Sequence, residues 1–432
     1  MPQGHPGGLQ EMSLRAAYGT LDLDAVRARL DPVEVERLAA RLVAAPSWGP
    51  ETRWEAPVLS ILEDVCQTAG LPVREQPIGA GRHNLLATLP GDAEGPALLL
   101  LNGHMDTVPP SAQMTRPPFA AIVEDGRLWG RGAADMKGGL AAMACALVAL
   151  RRSGFRPLSP VVLAAVAAEE TGNLGTAALV RAGPPARAAV VGEPTRLQVV
   201  TAHKGVDRYQ VTVRGRAAHG STPERGVNAI VQAARLIVAI EERLRAAWAA
   251  QRHPLLGAAT LNIGTIQGGI SRNAVPDRCV FQLEKRWLPG DAPEHIRADL
   301  ERIIQETIGR EWAEVAREPE FEHIPHPPLD LPRDHPLVEA ALAALGHVRG
   351  GQPALAVLPA FTDAALLQAA GTPTIVCGPG DLAVAHADDE HVSTAELYDA
   401  ALTYAALALI LAEEERTRGS GAGGPSGTCR HA

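Results

Sequence analysis

Short apolar runs alternate with longer helical stretches along the first part of the chain and again near its end. Ala97-Leu98-Leu99-Leu100-Leu101, Val161-Val162-Leu163-Ala164-Ala165-Val166 and Ala188-Ala189-Val190-Val191 predict buried strands. Met136 to Arg152 and Ser393 to Leu411 predict helices. This βα alternation is the pattern of a layered α/β sheet. From about Leu197 the pattern changes. Tyr209-Gln210-Val211-Thr212-Val213 alternates, an Ala-rich helix spans about Asn228 to Ala250, and strands near Thr260 to Ile266 and Val275 to Leu288 precede another helix. That stretch predicts an α+β unit inserted into the layered domain.

Punctuation sets the boundaries. Asp31-Pro32 supplies an N-cap with proline at the first helical position, so the globular part starts there and residues 1–30 form a loosely ordered arm. The layered domain then covers 31–196 and resumes over 322–414, with the insertion at 197–321 and His323-Ile324-Pro325-His326-Pro327-Pro328 as a linker. Residues 415–432, with the run Gly419 to Gly427, form a disordered tail.

At 432 residues and 46% hydrophobic content the chain can bury a core in each of two domains. A formal net charge of −9 argues against nucleic acid or an anionic membrane as partner. Cys66, Cys145, Cys279, Cys377 and Cys429 are scattered and odd in number, which fits a reducing compartment. The first residues have neither a basic start nor an apolar stretch, and no apolar run approaches the length that spans a bilayer. A cytoplasmic protein is expected.

The candidate chemistry gathers where strands should end. His104 and Asp106 follow the first apolar run, Glu169 and Glu170 the second, and Glu193 the third. Asp135 lies in Gly130-Arg131-Gly132-Ala133-Ala134-Asp135-Met136-Lys137-Gly138, and His386 lies beyond Gly378-Pro379-Gly380. In open α/β sheets, active sites form outside the carboxyl ends of strands. Imidazole and carboxylate without thiolate suit zinc, cobalt or manganese. Asp135 is assigned as a bridge between two ions, with His104 and Glu193 on one and Glu170 and His386 on the other. Asp106 should orient His104 through its second ring nitrogen. Adjacent carboxylates on an extended segment point to different sides, which leaves Glu169 as general base.

In these motifs, from about Asp31 to about Ala412, the chain resembles the dinuclear zinc peptidase and deacylase family. That family includes acetylornithine deacetylase, succinyl-diaminopimelate desuccinylase, aminoacylase and the glutamate-releasing carboxypeptidases. Glutamate at 193 resembles the acetylornithine and succinyl-diaminopimelate branch. The resemblance implies a layered zinc-peptidase-like catalytic domain with an inserted α+β lid and dimerisation domain, two divalent ions, and a homodimer acting on a small N-acyl amino acid or dipeptide. It implies that His219, in Ala217-Ala218-His219-Gly220-Ser221, donates to the developing oxyanion from its own or the partner subunit. Asn273 and Arg286 match substrate-binding positions. Glu284 departs from the family's usual Asp-x-Arg form, and Lys285 and Arg272 are rival cations. The Gly378-Pro379-Gly380 turn either offers N–H groups, Gly380 among them, to a substrate carboxylate or is a plain αβ turn.

Other functions fit less well. No G-x-S-x-G elbow supports a serine hydrolase, and no cysteine has a nucleophile's setting. The glycines near 378–380 lack the acidic ribose-binding partner of a nicotinamide site. A catalytically silent dimeric binding protein would show a lost ligand or base, and none is lost. Within the enzyme class a dipeptidase or carboxypeptidase is the alternative to a deacylase, since both use this machinery.

Overall fold

A computed structural model of the chain describes residues 22–49, 54–182 and 186–421. It separates into two compact units. Among the described residues, the first comprises those up to Thr201, Leu331–Ala356 and those from Leu367 onward, and the second comprises Ala202–Asp330 and Val357–Leu366.

The first unit is built on a mixed sheet. Its strands run in the order Val73–Gly79, Arg82–Leu89, Val161–Val166, Leu99–His104, Ala189–Val191, Thr374–Val376 and Val199–His203. The four from Val161–Val166 to Thr374–Val376 are parallel, so their carboxyl ends share one edge. Helices Pro32–Val43, Gly138–Arg152 and Thr394–Gly421 pack on one another within the apolar core. Every residue from Gly138 to Leu150 is buried. The helix expected from Met136 starts at Gly138, because Asp135 and Met136 leave helical geometry at φ −120°, ψ 97° and φ −129°, ψ 32°.

Several expectations are corrected here. The globular part begins before Asp31: a helix spans Leu23–Arg27, and Leu23, Val26 and Leu30 are buried in the core. The rest of the expected arm, 1–21, lies outside the described residues. At the other end the last helix runs to Gly421, beyond the expected boundary at 414, and Glu415 accepts from the Ser159 N–H at 3.1 Å. Of the expected tail, 422–432 lies outside the described residues. Two helical stretches, Ala133–Arg152 and Thr394–Arg418, are in fact long and apolar enough to cross a membrane. The first is wholly buried in this unit and the second mostly so, which accounts for their apolar surface.

The second unit is α+β. An antiparallel sheet in the order Thr260–Gly268, Arg278–Trp287, Gly205–Arg214 and Ala313–Arg317 buries alternate residues, among them Tyr209, Val211, Val213, Phe281 and Leu283. These belong to one core with Leu236, Ile240 and Trp248 from the long helical stretch and Ile296, Leu300 and Ile303 from helix Pro293–Thr307. Asn228 caps the long helix by accepting from the Val231 N–H at 3.1 Å. The boundaries fall at 201/202 and 330/331 rather than 196/197 and 321/322, and Val357–Leu366, expected in the layered domain, belongs to this unit. The expected linker is packed structure, since His326 is buried and its carbonyl accepts from Val206 N at 3.1 Å.

Candidate metal centre

Three of the five candidate ligands are delivered by the ends of regular elements, and Glu170 and His386 come from turns and loops beyond them. His104 is the last residue of its strand, Glu193 lies two residues beyond Val191, and Asp135 sits at the entry to the buried helix. These segments meet closely because glycines line the junction. A Cβ on Gly139 would lie 2.3 Å from Gly192 O, and one on Gly378 would lie 2.1 Å from the same oxygen. Larger residues there would push the strand ends and the helix apart.

The two oxygens of Asp135 point to different imidazoles. Oδ1 lies 3.0 Å from His104 Nε2, and Oδ2 lies 3.2 Å from His386 Nε2. Glu193 Oε1 stands 3.7 Å from His104 Nε2, and Glu170 Oε1 stands 3.2 Å from His386 Nε2. The structure thus brings all five residues together as two pairs around one carboxylate. His104, Asp135 and Glu170, drawn from both pairs, each offer a ligand atom within 4.8 Å of the others, so the two halves lie close around Asp135. His386 is held with φ 60°, an uncommon value for a residue with a side chain.

The carboxylates of the cluster shift the titration of its two histidines upward. Burial opposes charge on His104, yet its bond to Asp135 and the fields of Glu193, Asp135 and Glu169 carry its pKa well above the ordinary value. Bonds to Asp135 and Glu170 likewise raise His386 to about 10. Burial would push Asp135 up, but its bonds to the two histidines hold it far below the usual carboxylate range. A pocket that stabilises two cationic imidazoles against three carboxylates has the electrostatics of a cation site.

Asp106 faces the second ring nitrogen of His104 as expected, but its carboxylate is not the hydrogen-bond acceptor. His104 Nδ1 donates to the main-chain oxygen of Asp106 at 2.9 Å, whereas the Asp106 carboxylate is 3.7 Å away. That carboxylate instead accepts from the N–H groups of Glu169 and Glu170, both at 3.2 Å. Glu169 and Glu170 also lie in a turn, not on an extended segment, since the Glu169 carbonyl accepts from Gly172 N at 3.2 Å and Asn173 N at 3.1 Å. The turn sends the side chains to different partners: Asn173 Nδ2 donates to Glu169 at 3.0 Å, and Glu170 meets His386.

Sequence reasoning missed the buried groups behind the ligands. Arg82 forms a buried ion pair with Glu55, stacks 4.3 Å from the Trp54 ring centroid and lies 3.7 Å from Asp106. Glu55 also accepts from Ala168 N at 3.2 Å, just before the Glu169 turn. Lys137 is fully buried and donates to Ala45 O at 2.7 Å. Glu390 is buried beneath Asp135. Proximity to a motif was the only available signal, at Lys137 and Glu390; nothing local marks Arg82 or Glu55.

In the second unit, His219 forms a bridge with Ala274, and Gly220 N donates to Asn273 O at 2.8 Å, so the His219 and Asn273 loops adjoin. His219 Nδ1 accepts from Ser221 N at 3.2 Å, which puts the ring proton of the neutral form on Nε2. Arg286 Nε donates to Glu284 at 2.6 Å, and Glu284 also accepts from Arg208 at 2.9 Å. Lys285 is buried against Asp291 and the Trp248 ring, which removes it as a rival, while Arg272 is exposed. The expectation for Gly380 is corrected. Its N–H donates to Glu396 at 2.9 Å and that of Gly378 to Thr195 Oγ1 at 3.1 Å, so the turn's donors are already committed within the fold.

Residues 100–410 match the model of peptidase family M20/M25/M40. The chain belongs to the M20/M25/M40 family. It is 34% identical over 357 residues to an acetylornithine deacetylase of Myxococcus xanthus, covering 80% of this chain and 89% of that protein. Among solved structures, aminopeptidase PepT from Bacillus cereus ATCC 10987 aligns with a TM-score of 0.71 at 25% identity, over 89% of this chain and 100% of that one. The YXEP protein of Bacillus subtilis, described as a dinuclear metal-binding peptidase of the M20 family, aligns with a TM-score of 0.68. At 18% identity, covering 88% of this chain and 98% of that one, this last likeness concerns the fold. As an M20/M25/M40 member the chain is a metal-dependent hydrolase of amide bonds.

Proposed function

We propose that the chain hydrolyses the amide bond of a small N-acyl amino acid with two divalent ions, zinc first and cobalt or manganese as alternatives. The observation that carries this reading is Asp135, whose two oxygens face His104 and His386 separately. His104 and Glu193 would hold one ion, Glu170 and His386 the other, and Asp135 both. Divalent ions in such a donor set polarise a scissile carbonyl and lower the pKa of water towards about 7.

The chain's own residues divide the remaining work. Glu169 takes the proton of the attacking water and returns it to the leaving amine. Asp106, through the N–H groups of Glu169 and Glu170, fixes the turn that aims both carboxylates. His219 Nε2–H donates to the developing oxyanion, Arg286 binds the substrate carboxylate through its guanidinium, and Asn273 contacts the substrate beside the His219 loop. The likeness to an acetylornithine deacetylase of Myxococcus xanthus supports an acylated amino acid as the substrate. The alignment with aminopeptidase PepT keeps a small peptide as the second reading.

A cytoplasmic homodimer completes the proposal. Four buried free cysteines among the described residues suit a reducing compartment. In the second unit, Thr260–Gly268 is one of the two edge strands of its sheet, and the exposed apolar residues Val231, Val238, Ile266 and Ile270 lie on or near that strand and helix Ala229–Ala239. An unpaired edge with an apolar patch is a template for association.

Elemental analysis of active protein should find about two divalent ions per chain, and chelation should abolish activity that added metal restores. A fully active preparation with no transition metal would overturn the reading. A panel of N-acetyl, N-succinyl, N-formyl and N-carbamoyl amino acids and dipeptides should show faster turnover of the acylated amino acids; faster dipeptide cleavage would favour the peptidase reading.

A further inference from the structure

Glu390 lies four residues beyond His386 and is 1% exposed. Its Oε1 accepts from the N–H groups of Ala134 and Asp135, both at 3.0 Å. Its Oε2 accepts from Gly132 N at 3.0 Å and from Arg131 Nη1 at 2.6 Å. The main-chain oxygen of Glu390 accepts from Gly130 N at 3.1 Å. Gly132 has φ 86°, which turns its N–H toward the same carboxylate as its neighbours and makes 131–135 an anion nest. Arg131 is also buried, and its Nη2 donates to His386 O at 3.4 Å. One buried ion pair therefore holds the backbones of two segments, one carrying Asp135 and the other His386.

We propose that Glu390 is a positioning residue that sets the geometry of the Asp135–His386 half of the centre and thereby its affinity for metal. Backbone bonds to the Asp135 N–H fix where that carboxylate starts from, and both its oxygens must be aimed at once. A side chain anchoring only one segment would not couple the two. Glu390 touches neither ion nor substrate; it acts through Asp135 and His386. Outer groups that orient metal ligands change affinity by roughly 10- to 100-fold when removed.

The inference rests on the two-ion reading, and one experiment separates their failures. Wild type, Glu390→Gln and Glu390→Asp are freed of metal and titrated with cobalt, with visible absorption reporting coordination and elemental analysis reporting stoichiometry. In Glu390→Gln an amide NH2 must face at least one of the four donors, so the nest opens while side-chain volume is kept. The weaker cobalt step should weaken about 10- to 100-fold with an altered spectrum, and kcat should fall more than KM rises. Glu390→Asp, which keeps the acid, should lie between Gln and wild type, and it carries the test if the Gln variant does not fold. Asp207→Asn, which breaks a buried carboxylate pair with Arg317 in the second unit, serves as the stability control and should leave cobalt binding unchanged. Wild type that takes up no cobalt overturns the two-ion reading itself. Wild type that binds two ions beside a folded Glu390 variant with unchanged affinity and spectrum overturns the positioning role alone, as does equal weakening in Asp207→Asn.

Discussion

Glu169 and Glu170 are adjacent in sequence yet meet different partners, which makes their roles separable by substitution. Glu170 meets His386 at 3.2 Å, whereas Glu169 is steadied by Asn173. Glu169→Ala should lower turnover by roughly 10² to 10⁴ and keep both metals, as removal of a general base does. Glu170→Ala should lose metal from the His386 side. Turnover and metal content measured on the two variants decide; equal metal loss in both would show the division is wrong. The ligands were legible because each follows a strand-like run or sits in a short glycine-bounded motif. The true partners of Asp106 were not, since its bonds reach backbone groups 63 and 64 residues away. Glu55 and Arg82, 27 residues apart, pair only because the fold buries them together.

Elements with strong periodicity were legible in kind, and their limits were set by packing. Leu23–Arg27 is too short to announce itself in sequence, yet its apolar side chains are buried in the core. His326, expected in a linker, is buried in an aromatic row with Phe321 and Phe361, and Phe361 also contacts His203. His203 Nδ1–H donates to Lys204 O at 3.0 Å, and its Nε2 accepts from Thr362 at 3.1 Å, an arrangement that suits the neutral ring. Burial lowers both imidazoles to about 4, with Arg286 adding to the effect at His203 and Arg317, Arg208 and Arg286 at His326. Unfolded histidines titrate near 6.5, so both rings favour folding fully above that pH. As pH falls from about 6.5 towards 4 the unfolded chain gains protons that the folded unit refuses, and stability declines by up to about 1.4 kcal/mol per pH unit for each ring. Amide protection in strand Arg278–Trp287, corrected for intrinsic exchange, should fall across that window and fall less steeply in His203→Gln. An unchanged slope in the variant would show that His203 is not a source of the acid sensitivity.

For the whole molecule, the candidate site residues are divided between the two units. The metal cluster belongs to the first unit, while His219, Asn273 and Arg286 belong to the second. The second unit also carries an edge strand with Ile266 51% exposed, followed by Ile270 at 97% exposed, an apolar edge of the kind that pairs with another chain. The α+β insertion was legible from the change of period near Leu197; the expectation that it forms a dimer contact came from resemblance, since no local pattern reports what an exposed strand meets. If association through this edge lets His219 serve the neighbouring subunit, two inactive variants should rescue each other. His219→Ala and Glu169→Ala are mixed under conditions that exchange subunits, and heterodimers are verified before assay. Shared sites give each mixed dimer one centre with both groups intact, so activity should return. Unshared sites leave every centre missing one group, and verified heterodimers without activity would rule out sharing. Ile266→Lys supplies the independent check: a charge on the apolar edge should shift the protein towards monomer, and a monomer retaining full turnover would place His219 in its own chain.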